Sequence, residues 1–157
     1  MPAVDAGELE SLMGYSARRV SLCMFESFVE RMAIHGLGPA GFSVLSLVTR
    51  NPGITSRQLC FSLGIRPPNL VAIVNAMQER ELIVKRPDPQ DGRAVGLDAT
   101  PAGRQLLRKA LRTARKLEAD VAQVLTPTGK QALLRLLNKV AARSLKLTAS
   151  PPRLYSG

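Results

Sequence analysis

The chain has 157 residues, of which 45% are hydrophobic, and this is enough apolar material for one sizeable core. Its 22 Lys and Arg against 12 Asp and Glu leave a formal net charge of +10, which favours a polyanionic partner because each neutralised phosphate releases a counterion. No segment approaches the roughly 18 consecutive apolar residues of a membrane span, and acidic residues stand where a signal peptide would be basic and apolar. We therefore expect a cytoplasmic protein with no membrane partner.

The sequence lacks the motifs of common enzymes. It contains no phosphate loop, no GxGxxG, no G-x-S-x-G and no H-E-x-x-H, and His35 is its single histidine. Cys23 and Cys60 have no second Cys or His at metal-ligand spacing. We therefore predict no enzymatic activity, no cofactor, no metal and no disulfide, with both thiols buried.

The first two predicted helices lie before Asn51. Apolar residues recur at helical spacing from about Asp5 to His35, which predicts one long helix ended by "HGLGPAG". Pro39 suits the first turn of a second helix, because that turn has backbone N–H groups without helical partners. The run "NPG" at 51–53 ends this helix.

The next two helices predict a helix-turn-helix. Thr55 and Gln58 have the spacing of a capping box, so a short helix starts at Thr55 and stops at Gly64. Prolines at 67 and 68 fit the first turn of the following helix. That helix carries a stripe predicted to be buried, formed by Leu70, Ile73, Val74 and Met77. A short helix, a turn with Gly and a second helix with one free face are typical of DNA-reading lobes.

A charged hairpin and two further helices follow. The apolar run 82–84, a tip rich in Gly and Pro, and the alternating Val95 and Leu97 predict a β-hairpin, the wing. "TPAG" at Thr100 and "TPTG" at Thr126 open two helices, the first ending near Val124. The last helix presents leucines and Val140, and the tail 148–157 is predicted to be flexible.

Residues at two helix starts are candidate phosphate contacts. Ser56, Arg57 and Arg66 lie where free N–H groups and the helix dipole favour anions, although Arg57 could equally be a solvated first-turn residue. The exposed side of the second helix offers Pro68, Asn69 and Ala72 but few long polar side chains. Sequence reading there would depend on Asn69, thymine methyl groups and DNA shape.

Three segments together resemble the MarR family of bacterial transcription factors (multiple antibiotic resistance regulators). They are "LGI" at 63–65, "ELIVKRPDPQDGRA" from Glu81, and "TPAG" at 100–103. The resemblance implies a mainly α fold with a small β-hairpin wing, a winged helix-turn-helix in an intertwined homodimer. It implies a DNA-binding lobe at 36–103 and a dimerisation region at 1–35 and 104–147. Ala99 stands where the family often has leucine.

The resemblance also assigns roles to residues. Asp91 would orient Arg93 toward the minor groove, while an unrelated hairpin tip would simply be solvated. The predicted contacts to double-stranded DNA are Ser56, Arg57, Arg66, Pro68, Asn69, Ala72, Arg86, Asp91 and Arg93. The predicted dimerisation residues are Leu9, Leu12, Leu133, Leu137 and Val140. The family's pocket, which often takes a small aromatic or acidic effector, makes Arg19, His35, Phe42, Arg104 and Arg108 effector candidates.

Alternatives accompany these roles. His35 is more often structural than ligand-binding, and the basic series from Arg108 to Lys116 is more often a solvated helix face than a site for an anionic effector such as an acyl-thioester. Cys23 invites comparison with the peroxide-sensing members of the family, but a buried core cysteine is the stronger interpretation. We predict an effector-responsive regulator that acts as a repressor at a pseudo-palindromic operator. The alternative is a winged-helix module that binds protein or RNA.

Overall fold

The computed structural model describes residues 5–87, 95–147 and Tyr155. Within them the α-helices are α1 (Met13–Met32), α2 (Pro39–Arg50), α3 (Ser56–Leu63), α4 (Pro67–Glu79), α5 (Pro101–Val121) and α6 (Pro127–Leu147), and the strands are β1 (Ile54–Thr55), β2 (Ile83–Pro87) and β3 (Val95–Ala99). Short 3₁₀ segments lie at Gly7–Ser11, Ala33–His35 and Ala122–Val124. In this part of the chain no single helix is both long and apolar enough to cross a membrane, although two bent helix pairs reach that length and hydropathy together.

The predicted single helix from Asp5 to His35 is wrong at its start. Leu12 is extended (φ −83°, ψ 118°) and separates the 3₁₀ segment Gly7–Ser11 from α1. Asp5 Oδ1 accepts from the Gly7 N–H at 2.8 Å, and Ser11 Oγ donates to the Glu8 carbonyl at 2.7 Å. These local side-chain bonds compete with the helical pattern, so α1 begins only at Met13.

The helix-turn-helix is confirmed as predicted. Thr55 and Gln58 form the reciprocal capping box at the start of α3. Gly64 ends α3 in the left-handed conformation at φ 60°, where a residue without Cβ has no steric penalty. Pro67 is the first residue of α4, and the chain bends by 117° between the two helices.

The wing belongs to a three-stranded antiparallel sheet in the order β1-β3-β2. β2 and β3 pair in the register Lys85 to Leu97, as the hairpin prediction requires. The pairing of β1 with β3 was not predicted, because two residues are too short for a recognisable strand pattern. A Cβ added to Gly96 would lie 2.8 Å from the Gly53 carbonyl oxygen, so only glycine permits β3 to approach this loop so closely.

The two "TP-x-G" segments start helices in the same way. Thr100 Oγ1 accepts from the Gly103 N–H at 2.9 Å, and Thr126 Oγ1 accepts from the Gly129 N–H at 3.0 Å. At Thr100 the hydroxyl also donates to the Glu81 carbonyl at 2.7 Å, which ties the start of α5 to the turn before β2. Helix α5 ends at Val121, and a 3₁₀ segment continues to Val124.

The core lies in the winged lobe and against α5. Its largest fully buried side chains are Met32, Val44, Leu45, Val48, Leu59, Leu70, Ile83 and Leu97. By contrast, Met32 is the only buried residue of α1, and none of residues 127–146 is buried. The five predicted dimerisation residues are all exposed in the single chain, from Val140 at 37% to Leu12 at 54%. The terminal helices thus leave apolar side chains uncovered.

Candidate DNA-binding surface and effector junction

Helix α4 has one buried and one free face. Leu70, Val74 and Met77 are buried, as predicted, and Ile73 is half-buried. On the other side Pro68, Asn69 and Ala72 are exposed. The burial of the apolar stripe therefore fixes the orientation of α4 and leaves these predicted base contacts accessible to a groove.

The predicted phosphate contacts lie at the starts of the same two helices. Ser56 and Arg57 occupy the first turn of α3, and Arg66 is the N-cap residue of α4. All three are exposed. Their position beside unpaired backbone N–H groups at positive helix ends suits the binding of DNA phosphates.

An aspartate that sequence analysis missed holds the base of the wing. Asp98 Oδ2 pairs with Arg86 Nε at 3.1 Å, and Asp98 Oδ1 accepts from the Gly53 N–H at 2.8 Å. The Asp98 side chain is half-buried (21% exposed), whereas that of Arg86 remains 71% exposed. One carboxylate thus joins the wing to the loop that precedes α3. An acid on β3 facing a basic strand was the only sequence signal. The tip residues Asp91 and Arg93 lie outside the described residues.

The junction between α1 and α2 contains two effector candidates. His35 is half-buried, and its Nε2 lies 2.8 Å from Thr113 Oγ1 on α5. The main-chain carbonyls of His35 and Gly36 accept from the Arg80 guanidinium at 3.0 and 2.6 Å. Phe42 packs edge to face on Phe28, with ring centroids 5.3 Å apart. Elements that are far apart in the sequence, from α1 to α5, therefore meet here.

The other three effector candidates lie apart from these contacts. Arg104 donates to the Ala99 carbonyl and lines a cavity of about 420 Å³ at the base of the wing. Arg19 lies 3.6 Å from Glu10 and over the Tyr15 ring at 5.8 Å. Arg108 is exposed on α5. The structure therefore places His35 and Phe42 at one junction and does not bring Arg19 or Arg104 into contact with them.

The two cysteines differ from the prediction that both are buried. Cys23 is exposed, because α1 buries only Met32 in the single chain and its outer side is uncovered. Cys60 is half-buried, and this burial raises the pKa of its thiol because the apolar surroundings disfavour the thiolate.

A contact from the C-terminal tail was also not predicted. The Tyr155 hydroxyl lies 2.6 Å from Ser43 Oγ on α2, and the half-buried Tyr155 ring packs against the core. The rest of the tail, for which flexibility was predicted, lies outside the described residues. No pattern in the sequence links residues so far apart.

A short helix, a tight turn, an exposed second helix and a hairpin wing define a winged helix-turn-helix DNA-binding protein. The chain belongs to the MarR family. The family model matches residues 35–94. The HTH-type transcriptional regulator YkoM of Bacillus subtilis (strain 168) is 30% identical over 119 residues, which are 72% of this chain and 73% of that protein.

Two solved structures extend the similarity to almost the whole chain. The transcriptional repressor CouR bound to a 23-mer DNA duplex is 36% identical, with a TM-score of 0.82 over 89% of this chain and 99% of CouR. CouR bound to p-coumaroyl-CoA is 35% identical, with a TM-score of 0.76 over 88% of this chain and 98% of CouR. The protein is therefore a MarR-family transcriptional regulator.

Proposed function

We propose that this protein is a homodimeric repressor that binds a pseudo-palindromic operator and is released from it by an aromatic acid or its coenzyme A thioester. The observation that carries the proposal is the likeness, at 36% identity over 89% of this chain, to a repressor solved with DNA and with p-coumaroyl-CoA. An acyl-thioester combines an apolar ring with several phosphates. A basic protein with an apolar junction suits both parts of such a molecule.

Helix α4 would read the major groove and the wing the adjacent minor groove. The exposed Asn69 and Ala72 supply one amide and one methyl contact, so much of the specificity would come from DNA shape. Ser56, Arg57 and Arg66 would bind phosphates from the two helix starts. Arg86, held by Asp98 at the base of the wing, would bind the backbone beside the groove that Arg93 enters.

The terminal segments 1–35 and 104–147 would form the dimer, and 36–103 the DNA-binding lobe. The apolar surface that α1 and α6 leave exposed supports this division, and it includes Leu133 at 44% and Leu137 at 49%. Several exposed large apolar side chains along the helices of a small chain are typical of subunit interfaces. A two-fold dimer would place two copies of α4 about one helical turn of DNA apart.

The effector would bind at the α1–α2 junction, where His35 and Phe42 lie. Since His35 contacts α5 through its side chain and Arg80 through its carbonyl, a ligand there touches both the dimerisation region and the end of α4. A ligand lowers operator affinity only by its preference for the unbound conformation. Arg108 on the exposed side of α5 would attract the phosphates of a thioester.

The test is footprinting on the DNA upstream of the gene, with and without p-coumaroyl-CoA. We expect protection of an inverted repeat, loss of protection on addition of the thioester, and weaker binding by Arg93→Ala with the fold intact. A protein or RNA partner instead of DNA would give no protected repeat at any salt concentration. Protection that no aromatic acid or thioester relieves would contradict the effector part alone.

A further inference from the structure

Tyr155 and Ser43 form a complementary pair. The Tyr155 ring packs against the core, and its hydroxyl lies 2.6 Å from Ser43 Oγ. A phenol is an apolar body with one polar end, and a half-buried phenol is stable where both parts have partners. The surface of α2 at Ser43 therefore provides apolar packing for a six-membered ring. It also provides a serine hydroxyl that can hydrogen-bond to a hydroxyl group in the para position of that ring.

The Ser43 surface lies on α2, the helix that also carries Phe42 of the proposed effector junction. Ser43 directly follows Phe42, whose ring packs on Phe28 of α1. Three residues separate the start of this helix from the 3₁₀ segment that carries His35. Successive side chains leave a helix in different directions, but the rings of Phe28, Phe42 and Tyr155 all pack against the same core. An effector long enough to extend from the junction along α2 would therefore reach the surface that the Tyr155 side chain occupies.

We propose that the Ser43 surface binds the 4-hydroxyphenyl group of the effector, and that Tyr155 of the same chain occupies it as a competing phenol when no effector is present. The p-coumaroyl group carries the same 4-hydroxyphenyl ring as tyrosine. The proposal rests on the proposed function and narrows its effector class to aromatic acids or thioesters with a para hydroxyl. Analogues without that hydroxyl bind less tightly because Ser43 Oγ loses its partner.

Competition sets the size of the expected effects. The apparent dissociation constant of the effector equals its intrinsic dissociation constant divided by the fraction of protein whose site is free. If Tyr155 is docked about nine-tenths of the time, about one-tenth of the sites are free and effector binding is about tenfold weaker. One hydrogen bond between neutral groups changes affinity by about two- to tenfold. Tyr155→Ala should therefore tighten binding of p-coumaroyl-CoA by up to about tenfold. Ser43→Ala should reduce the preference for p-coumaroyl-CoA over cinnamoyl-CoA by about two- to tenfold.

The chain offers a direct probe because it has two tyrosines and no tryptophan. In a Tyr15→Phe background labelled with 3-fluorotyrosine, Tyr155 gives the single ¹⁹F signal of the full-length protein. We expect p-coumaroyl-CoA to move this signal toward the position of the same labelled variant unfolded in urea, where the Tyr155 ring is fully solvated. Calorimetry on the unlabelled Tyr155→Ala, Tyr155→Phe and Ser43→Ala variants then measures the dissociation constants, with Tyr155→Phe between wild type and Tyr155→Ala.

The outcomes separate this proposal from the proposed function. An unmoved ¹⁹F signal at saturating p-coumaroyl-CoA, no detectable binding, or weaker binding by Tyr155→Ala would overturn it. If the thioester releases operator DNA while Tyr155 stays docked, the proposed function is supported and the proposed Ser43 site is refuted. If Tyr155 is displaced but operator affinity does not change, the Ser43 site is supported and regulation of DNA binding by this ligand is refuted.

Discussion

Arg80, which follows the last residue of α4, donates from Nη2 to the main-chain carbonyl of His35 at 3.0 Å. Its Nη1 donates to the next carbonyl, that of Gly36, at 2.6 Å. The planar guanidinium can make both bonds at once, which an ammonium cannot do with the same geometry. The end of the proposed recognition helix is thereby joined to the junction where the effector is proposed to bind.

Replacing Arg80 should therefore uncouple effector and operator. In Arg80→Ala and Arg80→Lys we expect p-coumaroyl-CoA to bind nearly as in wild type but to weaken operator binding less, with a loss of about 1 kcal/mol of coupling. The measurement is operator affinity at fixed salt with and without the thioester. Equal loss of coupling in both variants would show that the paired donors of the guanidinium are required and that the positive charge alone is not sufficient. Unchanged coupling in Arg80→Ala would contradict the mechanism.

Gly103 should tolerate no side chain. A Cβ there would lie 2.0 Å from the Leu82 carbonyl oxygen, so α5 would have to move away from the sheet. We expect Gly103→Ala to lower the free energy of unfolding by about 1–3 kcal/mol or more, in the range of overpacked cores. Gly129→Ala is the matched control in the second "TP-x-G" segment, where the nearest atom is Thr126 Oγ1 at 3.1 Å. Urea unfolding of both variants tests this, and equal effects would refute the steric argument.

Asp98 should stabilise the wing through two different bonds. Asp98→Ala loses both the Gly53 hydrogen bond and the Arg86 ion pair, whereas Asp98→Asn keeps an oxygen that accepts from Gly53. We expect losses in unfolding free energy of about 1–2 kcal/mol for alanine and less than half of that for asparagine. The Arg86 side is mostly exposed, so its ion pair contributes little. A larger loss in asparagine than in alanine would contradict this division.

Arg57 should contribute affinity without sequence preference. If it neutralises one phosphate, Arg57→Ala should reduce the slope of log K against log salt by about 0.9 while leaving discrimination between operator and random DNA nearly unchanged. Arg135→Ala on α6 removes the same charge far along the chain from the helix-turn-helix and serves as the control. A change in the slope of equal size in both variants would indicate a nonspecific charge effect.

The apolar face of α6 should hold the dimer together. Leu137 is 49% exposed in the single chain, and Leu137→Glu would place a charge in the proposed interface at a cost of several kcal/mol of association. We expect light scattering to show a dimer for the wild type and monomers or unfolded chains for this variant. A folded wild-type monomer at micromolar concentration would rule out the obligate dimer.

Local patterns were sufficient for most of the elements. The Thr55–Gln58 capping box, Gly64 and Pro67 each act within one helical turn, so α3, the turn and α4 follow from neighbouring residues alone. Local competition also explains the failure at Leu12, where Asp5 and Ser11 bond to nearby backbone. The apolar periodicity predicted a buried face on α1 but not that Cys23 would be exposed, because no described element of the single chain covers that side of the helix.

The sequence by itself determined the order of the helices, the caps that start and stop them, the hairpin and the membership of a regulator family, because each depends on residues a few positions apart. Only the tertiary structure decided which residues that are far apart in the sequence make contact near the proposed effector junction. Arg80 reaches His35 across 45 residues, and Tyr155 reaches Ser43 across 112. Such pairs form when packing of the apolar core brings distant helices together, and polar side chains then bond to whatever partner the packing has placed within reach.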